Sequence, residues 1–215
     1  NGVMQDYTVT VNNKEGTVVH LAGSTGGYGG SDGTGSAAAF RWPFGIVCDS
    51  DYLYVADTSN HTIRKIGIIT RIVTTLAGSP GQPGVADGAG KDARFNNPQG
   101  ITTDGVNLYV ADTGNHTIRK IVISTGVVTT IAGTVTAGAG VYGTDGDTDN
   151  DPDNITSKFN TPSGITIIGT DLYVADTFNS RIRKIEIPTG NVTVFAGYDG
   201  TDEQTGYVNS TTGPG

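Results

Sequence analysis

The sequence predicts an all-β fold made of repeated four-stranded antiparallel units, and three observations support this prediction. Glycine accounts for 33 of the 215 residues, about twice its usual share of ~7%. Threonine, valine and isoleucine are abundant, whereas methionine occurs once. Similar strand-like segments also recur three times in register along the chain. This composition and this repetition exclude a helical bundle.

A phenylalanine marks each repeat unit. Phe40, Phe95 and Phe159 are 55 and 64 residues apart, and a proline three positions later keeps the same spacing. The third unit is therefore nine residues longer, and the extra residues precede Phe159. Residues 7–11 and 17–23 match only the third and fourth strands of a unit. The chain thus supplies about three and a half units.

Each unit is predicted to contain four short strands separated by turns. The first strand begins at a Gly-Ile pair, and the second is Leu-Tyr-Val-Ala, which is apolar throughout and should be covered on both faces. The third is Ile-Arg-Lys-Ile, and the fourth is Val-Thr-Thr-Leu-Ala-Gly in the first unit. Arg71 replaces a glycine in the turn before the fourth strand, so mild strain is expected there if the turn needs a positive φ.

Four antiparallel strands that repeat every 55 to 64 residues and are covered on both faces are typical of β-propeller blades. A solenoid of strand–helix units is the competing architecture, but no amphipathic helical stretch separates the strands. A ring of six such units needs about 330 residues, so the chain is predicted to be a fragment or to be completed by another molecule. We predict one partial propeller over residues 1–215, with a half-unit at 1–23, blade units at 24–78, 79–133 and 134–197, and a connector at 198–215.

Residues 54–66 read Tyr-Val-Ala-Asp-Thr-Ser-Asn-His-Thr-Ile-Arg-Lys-Ile, which resembles the NHL repeat. Residues 109–121 repeat this motif, and Ser180 replaces the histidine in residues 173–185. The resemblance implies a propeller, commonly six-bladed, that serves most often as an interaction platform. The family also includes RNA-binding members, sensor domains of membrane kinases and a peptidyl-amidating lyase with metal-binding histidines. The Gly- and Asp-rich connectors are most similar to those of bacterial secreted or cell-surface members.

Charge and cysteine content exclude several function classes. With 13 basic and 21 acidic residues, the net charge is −8, which disfavours binding to nucleic acid or to anionic membrane surfaces. No apolar run approaches the roughly 20 residues of a membrane-spanning helix, so no membrane insertion is expected. The single cysteine, Cys48, excludes an internal disulfide framework. Its place in the predicted innermost strand suggests a small, buried apolar residue.

Most residues suited to chemistry repeat in every unit, which indicates architecture and not catalysis. Asp57 and its equivalents are expected to bond nearby backbone N–H groups and to pair with the arginine seven residues later. His61 and His116 occupy equivalent positions one unit apart, and His20 lies in a predicted outermost strand. Nothing in the sequence brings these histidines together as a zinc site or beside a nucleophile. The set used by the lyase members is absent from this segment.

Alternating carboxylates mark the insertion in the third unit. They are candidate calcium ligands, since Ca²⁺ takes six to eight oxygen ligands: Asp145, Asp147, Asp149 and Asp151. The match to an EF-hand loop is partial, because Asn150 replaces the glycine at the sixth position and Thr156 the bidentate glutamate. A solvated acidic loop is the alternative. No other cofactor is expected.

The segment Arg41-Trp42-Pro43-Phe44 departs most clearly from the repeat. The equivalent segment of the next unit, residues 96–99, reads Asn-Asn-Pro-Gln, so polar positions have become the only tryptophan and a phenylalanine. One interpretation is packing on a neighbouring half-blade or on a missing blade. The other is an aromatic contact with a protein or sugar partner, made by Arg41, Trp42 and Phe44.

We therefore interpret the chain as a non-enzymatic extracellular or cell-surface NHL-type propeller of bacterial type that acts as a binding or assembly module. One alternative is a subunit of an extracellular polymer or filament, suggested by the unclosed ring. Another is part of a lyase- or hydrolase-type propeller whose catalytic residues lie outside this segment. The start at Asn1, without a signal-peptide pattern, is expected of a processed or truncated product. Self-association or a longer parent chain would complete the ring.

Overall fold

A computed structural model describes residues 10–12, 18–133 and 158–197 of the chain. Within these ranges the chain forms β-strands and short 3₁₀ turns, and no α-helix occurs among them. No helix in the described part is long and apolar enough to cross a membrane.

The strands form four antiparallel sheets in chain order. A two-stranded sheet, the half-sheet, contains β1 (Thr10–Asn12) and β2 (Val18–His20). Blade 1 contains β3 (Gly33–Thr34), β4 (Pro43–Cys48), β5 (Tyr52–Asp57), β6 (Thr62–Gly67) and β7 (Ile72–Gly78). Blade 2 contains β8 (Gly88–Ala89), β9 (Ile101–Thr103), β10 (Asn107–Asp112), β11 (Thr117–Val122) and β12 (Val127–Ala132). Blade 3 contains β13 (Pro162–Ile168), β14 (Asp171–Asp176), β15 (Arg181–Glu186) and β16 (Val192–Gly197).

The predicted all-β fold of propeller blades is confirmed, with one addition. In each blade the four long strands pair in sequence order, as expected. In blades 1 and 2 a two-residue strand from the connector also pairs with the outermost strand, so these sheets have five strands. Gly33 lies opposite Val73, and Ala89 lies opposite Val127. The connector is therefore fastened along the outer edge of its own blade.

The turns follow the sequence pattern closely. The segment after each second strand forms a 3₁₀ turn, as at Thr58–Asn60, and the next residue adopts a left-handed conformation. In the turn before the fourth strand, Arg71 has a φ of 57°, close to the 70° of Gly126 and Gly190. The expected strain at Arg71 is confirmed, because a side chain disfavours this region of backbone space.

The core lies between successive blades. We use "downstream face" for the side of a blade that meets the next blade and "upstream face" for the opposite side. Tyr54 and Ala56 on the downstream face of blade 1 pack against Phe95, Leu108 and Val110 on the upstream face of blade 2. The same arrangement joins blades 2 and 3. The Leu-Tyr-Val-Ala strand of blade 2 is therefore buried on both faces, as predicted.

The prediction that Cys48 is buried is wrong, because its side chain is exposed. Cys48 lies on the upstream face of β4, with Phe44 and Ile46, since side chains alternate along a strand. Ile46 is 48% exposed, whereas its equivalent in blade 2, Ile101, is 7% exposed. Among the described residues, those after β2 cover the outer part of this face and leave the innermost strand open.

Candidate functional site

A buried ion pair lies at the centre of each blade. Nη1 of Arg64 is 2.8 Å from Oδ2 of Asp57, and both side chains are fully buried. Blades 2 and 3 repeat this contact through Arg119 with Asp112 at 2.8 Å and Arg183 with Asp176 at 3.0 Å. The predicted pairing across seven residues is thus confirmed in all three blades.

The arginine also fastens the connector to the blade. Nη2 of Arg64 donates to the Ser31 carbonyl oxygen and to Oδ1 of Asp32, each at 2.9 Å. The guanidinium lies 5.0 Å from the centre of the Phe40 ring, within cation–π range. Blade 2 repeats these contacts with its own connector. The repeated arginine therefore joins the second strand, the third strand and the connector.

The aspartate of this cluster accepts hydrogen bonds from several groups. Oδ1 of Asp112 accepts the backbone N–H of Asn96 at 2.7 Å, and Oδ2 accepts Nδ2 of Asn115 at 2.7 Å. Burial raises the pKa of Asp112 to about 6, because lost hydration outweighs the opposing effects of Arg119 and these donors. The aspartate thus holds the backbone before the first strand and the side chain of the turn asparagine, whereas the sequence suggested bonds to nearby backbone N–H groups. A buried carboxylate with this many donors suits a structural role.

Sequence reasoning missed the connector aspartates Asp32 and Asp87 as partners of the arginines. The signal was present, since each lies eight residues before the phenylalanine that marks its unit. Asp151, one of the predicted calcium ligands, has the same sequence position before Phe159. All four predicted ligands, Asp145, Asp147, Asp149 and Asp151, lie outside the described residues. The calcium site therefore stays a prediction.

The two motif histidines join neighbouring blades. His61 has a φ of 58°, and its Nδ1 accepts the backbone N–H of Asn97 in blade 2 at 3.1 Å. His116 makes the same contact with Thr161 of blade 3 at 2.9 Å. Burial lowers the pKa of His61, and the charge of Arg41 lowers it further, which favours the neutral, accepting form. In the described ranges no three His, Cys, Asp or Glu side chains come close enough to hold a metal ion.

Arg41 contacts Tyr28 at the surface, and its sequence neighbours Trp42 and Phe44 are exposed. Trp42 is 62% exposed and Phe44 is 69% exposed, while Arg41 lies with its guanidinium 5.2 Å from the Tyr28 ring centre. We call these four residues the aromatic patch. Sequence reasoning missed Tyr28, which stands in an irregular connector without a repeat signal. Packing on a neighbouring half-blade or on a missing blade stays the alternative prediction for this segment.

The backbone under the patch is strained. Trp42 has a φ of 53°, and the equivalent residues Asn97 and Thr161 have φ values of 49° and 55°. The fold therefore requires a left-handed residue here, and asparagine tolerates this conformation better than tryptophan does. Such a conformation costs of order 1–3 kcal/mol for a bulky residue. Most of the residue is exposed at this position, with 62% of Trp42 open to solvent.

The patch is held in place by the buried ion-pair cluster beneath it. The backbone N–H of Arg41 donates to Oδ1 of Asp57 at 2.7 Å, and the Arg41 carbonyl accepts the N–H of Ser59 at 3.0 Å. Asn60 connects the same turn to the Gly29 carbonyl next to Tyr28, at 2.6 Å. Exposed aromatic groups on a rigid backbone are suited to stacking on, or packing against, a partner.

Comparison with known protein sequences identifies the repeat. The sequence model of the NHL repeat matches residues 95–121. The chain is 34% identical over 196 residues to NHL repeat-containing protein 2 of Bos taurus, which covers 85% of this chain and 26% of that protein. It is 33% identical over 186 residues to the chloroplastic protein SUPPRESSOR OF QUENCHING 1 of Arabidopsis thaliana, which covers 82% of this chain and 17% of that protein. The chain thus spans about a quarter or less of the length of these relatives.

Two solved structures from Bacteroides thetaiotaomicron share the fold. An auxiliary nutrient binding protein matches with a TM-score of 0.56 and 25% identity, over 69% of this chain and 36% of that one. A structural genomics protein of unknown function matches with a TM-score of 0.58 and 26% identity, over 80% of this chain and 40% of that one. With the blade architecture and the repeated motif, these similarities show that the chain belongs to the NHL-repeat β-propeller family.

Proposed function

We propose that the chain is a non-enzymatic binding or scaffold module that contacts a protein or carbohydrate partner through the aromatic patch. The observation that carries this proposal is the exposed Trp42 on a left-handed backbone. A bulky residue that is held at this backbone cost with most of its ring exposed is suited to a contact outside the chain. The nutrient-binding description of one solved relative supports a binding role.

The chemistry of the patch suits a partner with both flat apolar and anionic groups. The rings of Trp42, Phe44 and Tyr28 offer surfaces for a sugar ring or an apolar side chain. The guanidinium of Arg41 is exposed and can donate two parallel hydrogen bonds to a carboxylate. An aromatic anchor beside an arginine is the composition that dominates binding energy in many protein interfaces.

The repeated polar residues support a non-enzymatic role. The Asp57, Asp112 and Asp176 carboxylates are buried and already accept hydrogen bonds from an arginine, an asparagine and a backbone N–H. Such groups are poorly placed to exchange protons with a substrate. A lyase or hydrolase function would require catalytic residues from outside the described part of the chain. An interaction platform requires only the surface that is described.

An extracellular or cell-surface location is part of the proposal and depends on the connectors' resemblance to those of secreted members. The exposed thiol of Cys48 weighs against it, because an unpaired surface cysteine oxidises readily outside the cell. Protease shaving of intact cells of the native source tests the location. Release of peptides from this chain supports it, and full protection contradicts it.

A graft of the second blade's own residues tests the patch. The triple variant Arg41→Asn, Trp42→Asn, Phe44→Gln restores the Asn-Asn-Pro-Gln sequence found at residues 96–99. We expect it to lose binding at least tenfold against immobilised surface proteins and glycans of the native source. Its melting temperature should stay equal or rise, because the left-handed strain is relieved.

A matched control removes an equally exposed aromatic group elsewhere. Phe178 is 71% exposed on blade 3, and Phe178→Ala should leave partner binding unchanged. Unchanged binding by the triple variant would contradict the proposed site. Loss of stability in the triple variant would assign the patch to packing and not to recognition.

A further inference from the structure

The motif Asn-x-Ser/Thr, the acceptor sequence for N-linked glycans, occurs five times in the chain. Two occurrences belong to the repeat itself and begin at Asn60 and Asn115. A third begins at Asn191 in blade 3, and the other two, at Asn154 and Asn209, lie outside the described residues. A glycan is bulky and is carried at the surface, so the structure discriminates among the three described occurrences.

The two repeat asparagines are unsuited to carry a glycan in the folded chain. Nδ2 of Asn60 donates to the Gly29 carbonyl oxygen at 2.6 Å and to Oδ2 of Asp57 at 2.8 Å, and the residue is 5% exposed. Asn115 makes the equivalent two hydrogen bonds and is fully buried. A sugar on either nitrogen would replace one of these N–H donors and would need space inside the ion-pair cluster.

Asn191 lies instead in the turn between the third and fourth strands of blade 3. The backbone of this turn is held in place: the Glu186 N–H donates to the Asn191 carbonyl oxygen at 2.9 Å, and the Asn191 N–H donates to Oγ1 of Thr189 at 3.2 Å. The residue is partly exposed. Among the hydrogen bonds of the described residues, none involves the side-chain amide of Asn191. The turn therefore presents this amide to the surroundings.

The exposure of this position does not depend on what covers the downstream face of blade 3. Asn191 aligns with Ile72 and Val127 in blades 1 and 2, and each of those blades is covered by the next one. Ile72 is nevertheless 49% exposed and Val127 is 39% exposed. The threonine two residues later in the motif aligns with threonines that are exposed in both blades. The acceptor sequence thus lies at an outer end of the blade that a neighbouring blade does not cover.

The asparagine is the residue that departs from the repeat. Blades 1 and 2 have isoleucine and valine at its position and already carry the threonine two residues later. β-Branched residues favour a strand, whereas asparagine is depleted in strands. The fourth strand accordingly begins one aligned position later in blade 3, at Val192, than it does in blades 1 and 2. One exchange at an exposed position therefore creates the acceptor sequence, and strand formation does not require it.

We propose that Asn191 is an attachment site for an N-linked glycan. The co-reactant is an oligosaccharide joined to a lipid through a diphosphate. The bond between Nδ2 of Asn191 and C1 of the first sugar forms, and the bond between C1 and the diphosphate oxygen breaks. The lipid diphosphate leaves, and the amide proton passes to a base of the transferring enzyme.

The proposed site is compatible with the aromatic patch. The inference depends on the extracellular location proposed above and not on the patch. Arg41 precedes the first strand of its blade, whereas Asn191 lies between a third and a fourth strand. Because successive strands of a blade are antiparallel, these two segments lie at opposite ends of the blades. A glycan on Asn191 therefore leaves the end that carries the patch accessible.

Secretion of the 215-residue chain from eukaryotic cells, through an added signal sequence, tests the site itself. A peptide-N-glycosidase converts a glycosylated asparagine to aspartate, and peptide mass spectrometry should show this conversion at Asn191 and not at Asn60 or Asn115. Asn191→Gln and Thr193→Ala should each abolish it, whereas Thr193→Ser should retain it. After deglycosylation, the melting temperatures of the variants should equal that of the parent chain, because both positions are at the surface.

The same peptide analysis of the native protein tests the modification in its source, and we expect a glycan on Asn191 there. An unmodified Asn191 in the folded, secreted chain would overturn the proposal, and so would conversion at Asn60 or Asn115. A bare Asn191 in a native protein that protease shaving places outside the cell would contradict the glycan alone. A bare Asn191 in a protein protected from shaving would contradict the location and the glycan together. Partner binding by the patch variant is a separate measurement in each case.

Discussion

Blades 2 and 3 carry nearly the same repeat, but their surroundings differ. The ion pairs of Arg119 and Arg183 are equally buried in the two blades. Ile118 is fully buried on the downstream face of blade 2, whereas its equivalent in blade 3, Ile182, is 37% exposed. The interior of a blade is therefore determined within its own repeat, while the burial of its faces depends on what lies next to it.

Removal of the buried arginine is expected to have the largest effect, and it should be equal in both blades. Arg119→Ala and Arg183→Ala each leave a buried aspartate without its cation, which costs about 3–5 kcal/mol. Urea melts measure this loss. Lys120→Ala, next to Arg119 but partly exposed, is the control and should change stability by less than about 0.5 kcal/mol. A much smaller cost for Arg183→Ala would show that the cluster depends on neighbouring blades.

Truncation of the face isoleucine should separate the two blades. Ile118→Ala creates a cavity in a packed interface and is expected to cost about 2–5 kcal/mol. Ile182→Ala removes a side chain that already contacts solvent, so a cost below about 1 kcal/mol is expected. Equal losses in urea melts would contradict the open face of blade 3.

The histidine contact between blades 1 and 2 should make stability depend on pH. The pKa of His61 is lower in the folded protein than the ordinary value of 6.5, so the folded state binds fewer protons. The contribution of His61 to the free energy of unfolding is complete above about pH 6.5. It decreases as the pH falls through that value toward the pKa of His61 in the folded protein. The raised pKa of Asp112, about 6, acts in the opposite direction. The folded state binds this proton more readily than the unfolded state, so the contribution of Asp112 to stability increases as the pH falls below about 6.

The difference between the parent chain and His61→Gln isolates the histidine contribution. Urea melts between about pH 5 and pH 8 should show a shallower loss of stability toward low pH in the variant. Blade 3 has Ser180 at this position, so Ser180→Gln should leave the pH profile unchanged. A profile of His61→Gln identical to that of the parent would contradict the contact.

Calcium is expected to have the smallest effect and should act on the third unit alone. If the insertion binds the ion, millimolar Ca²⁺ raises the melting temperature by mass action. Asp147→Asn with Asp149→Asn should remove that gain. Asp32→Asn in the first connector is the control, and it should preserve the gain despite its own cost to stability. If calcium does not change the melting temperature, the solvated acidic loop is the remaining interpretation of the insertion.

Features that repeat along the chain could be predicted from the sequence. The strand order, the pairing of Asp112 with Arg119 and the positive φ of Arg71 each follow from local patterns. Periodic apolar residues and turn residues reflect physical requirements that act within one unit. Irregular features were harder to predict. Tyr28 and Asp32 join their partners only because the connector folds back onto its own blade.

By itself, the sequence determined the family, the antiparallel blades and the residues that hold each blade together, because these depend on contacts within a short, repeated segment. The tertiary structure alone decided which faces are covered. Cys48 and Ile182 occupy positions that the repeat predicts to be interior, yet both are exposed. Burial is a property of two packed surfaces, and a repeat unit encodes only its own surface.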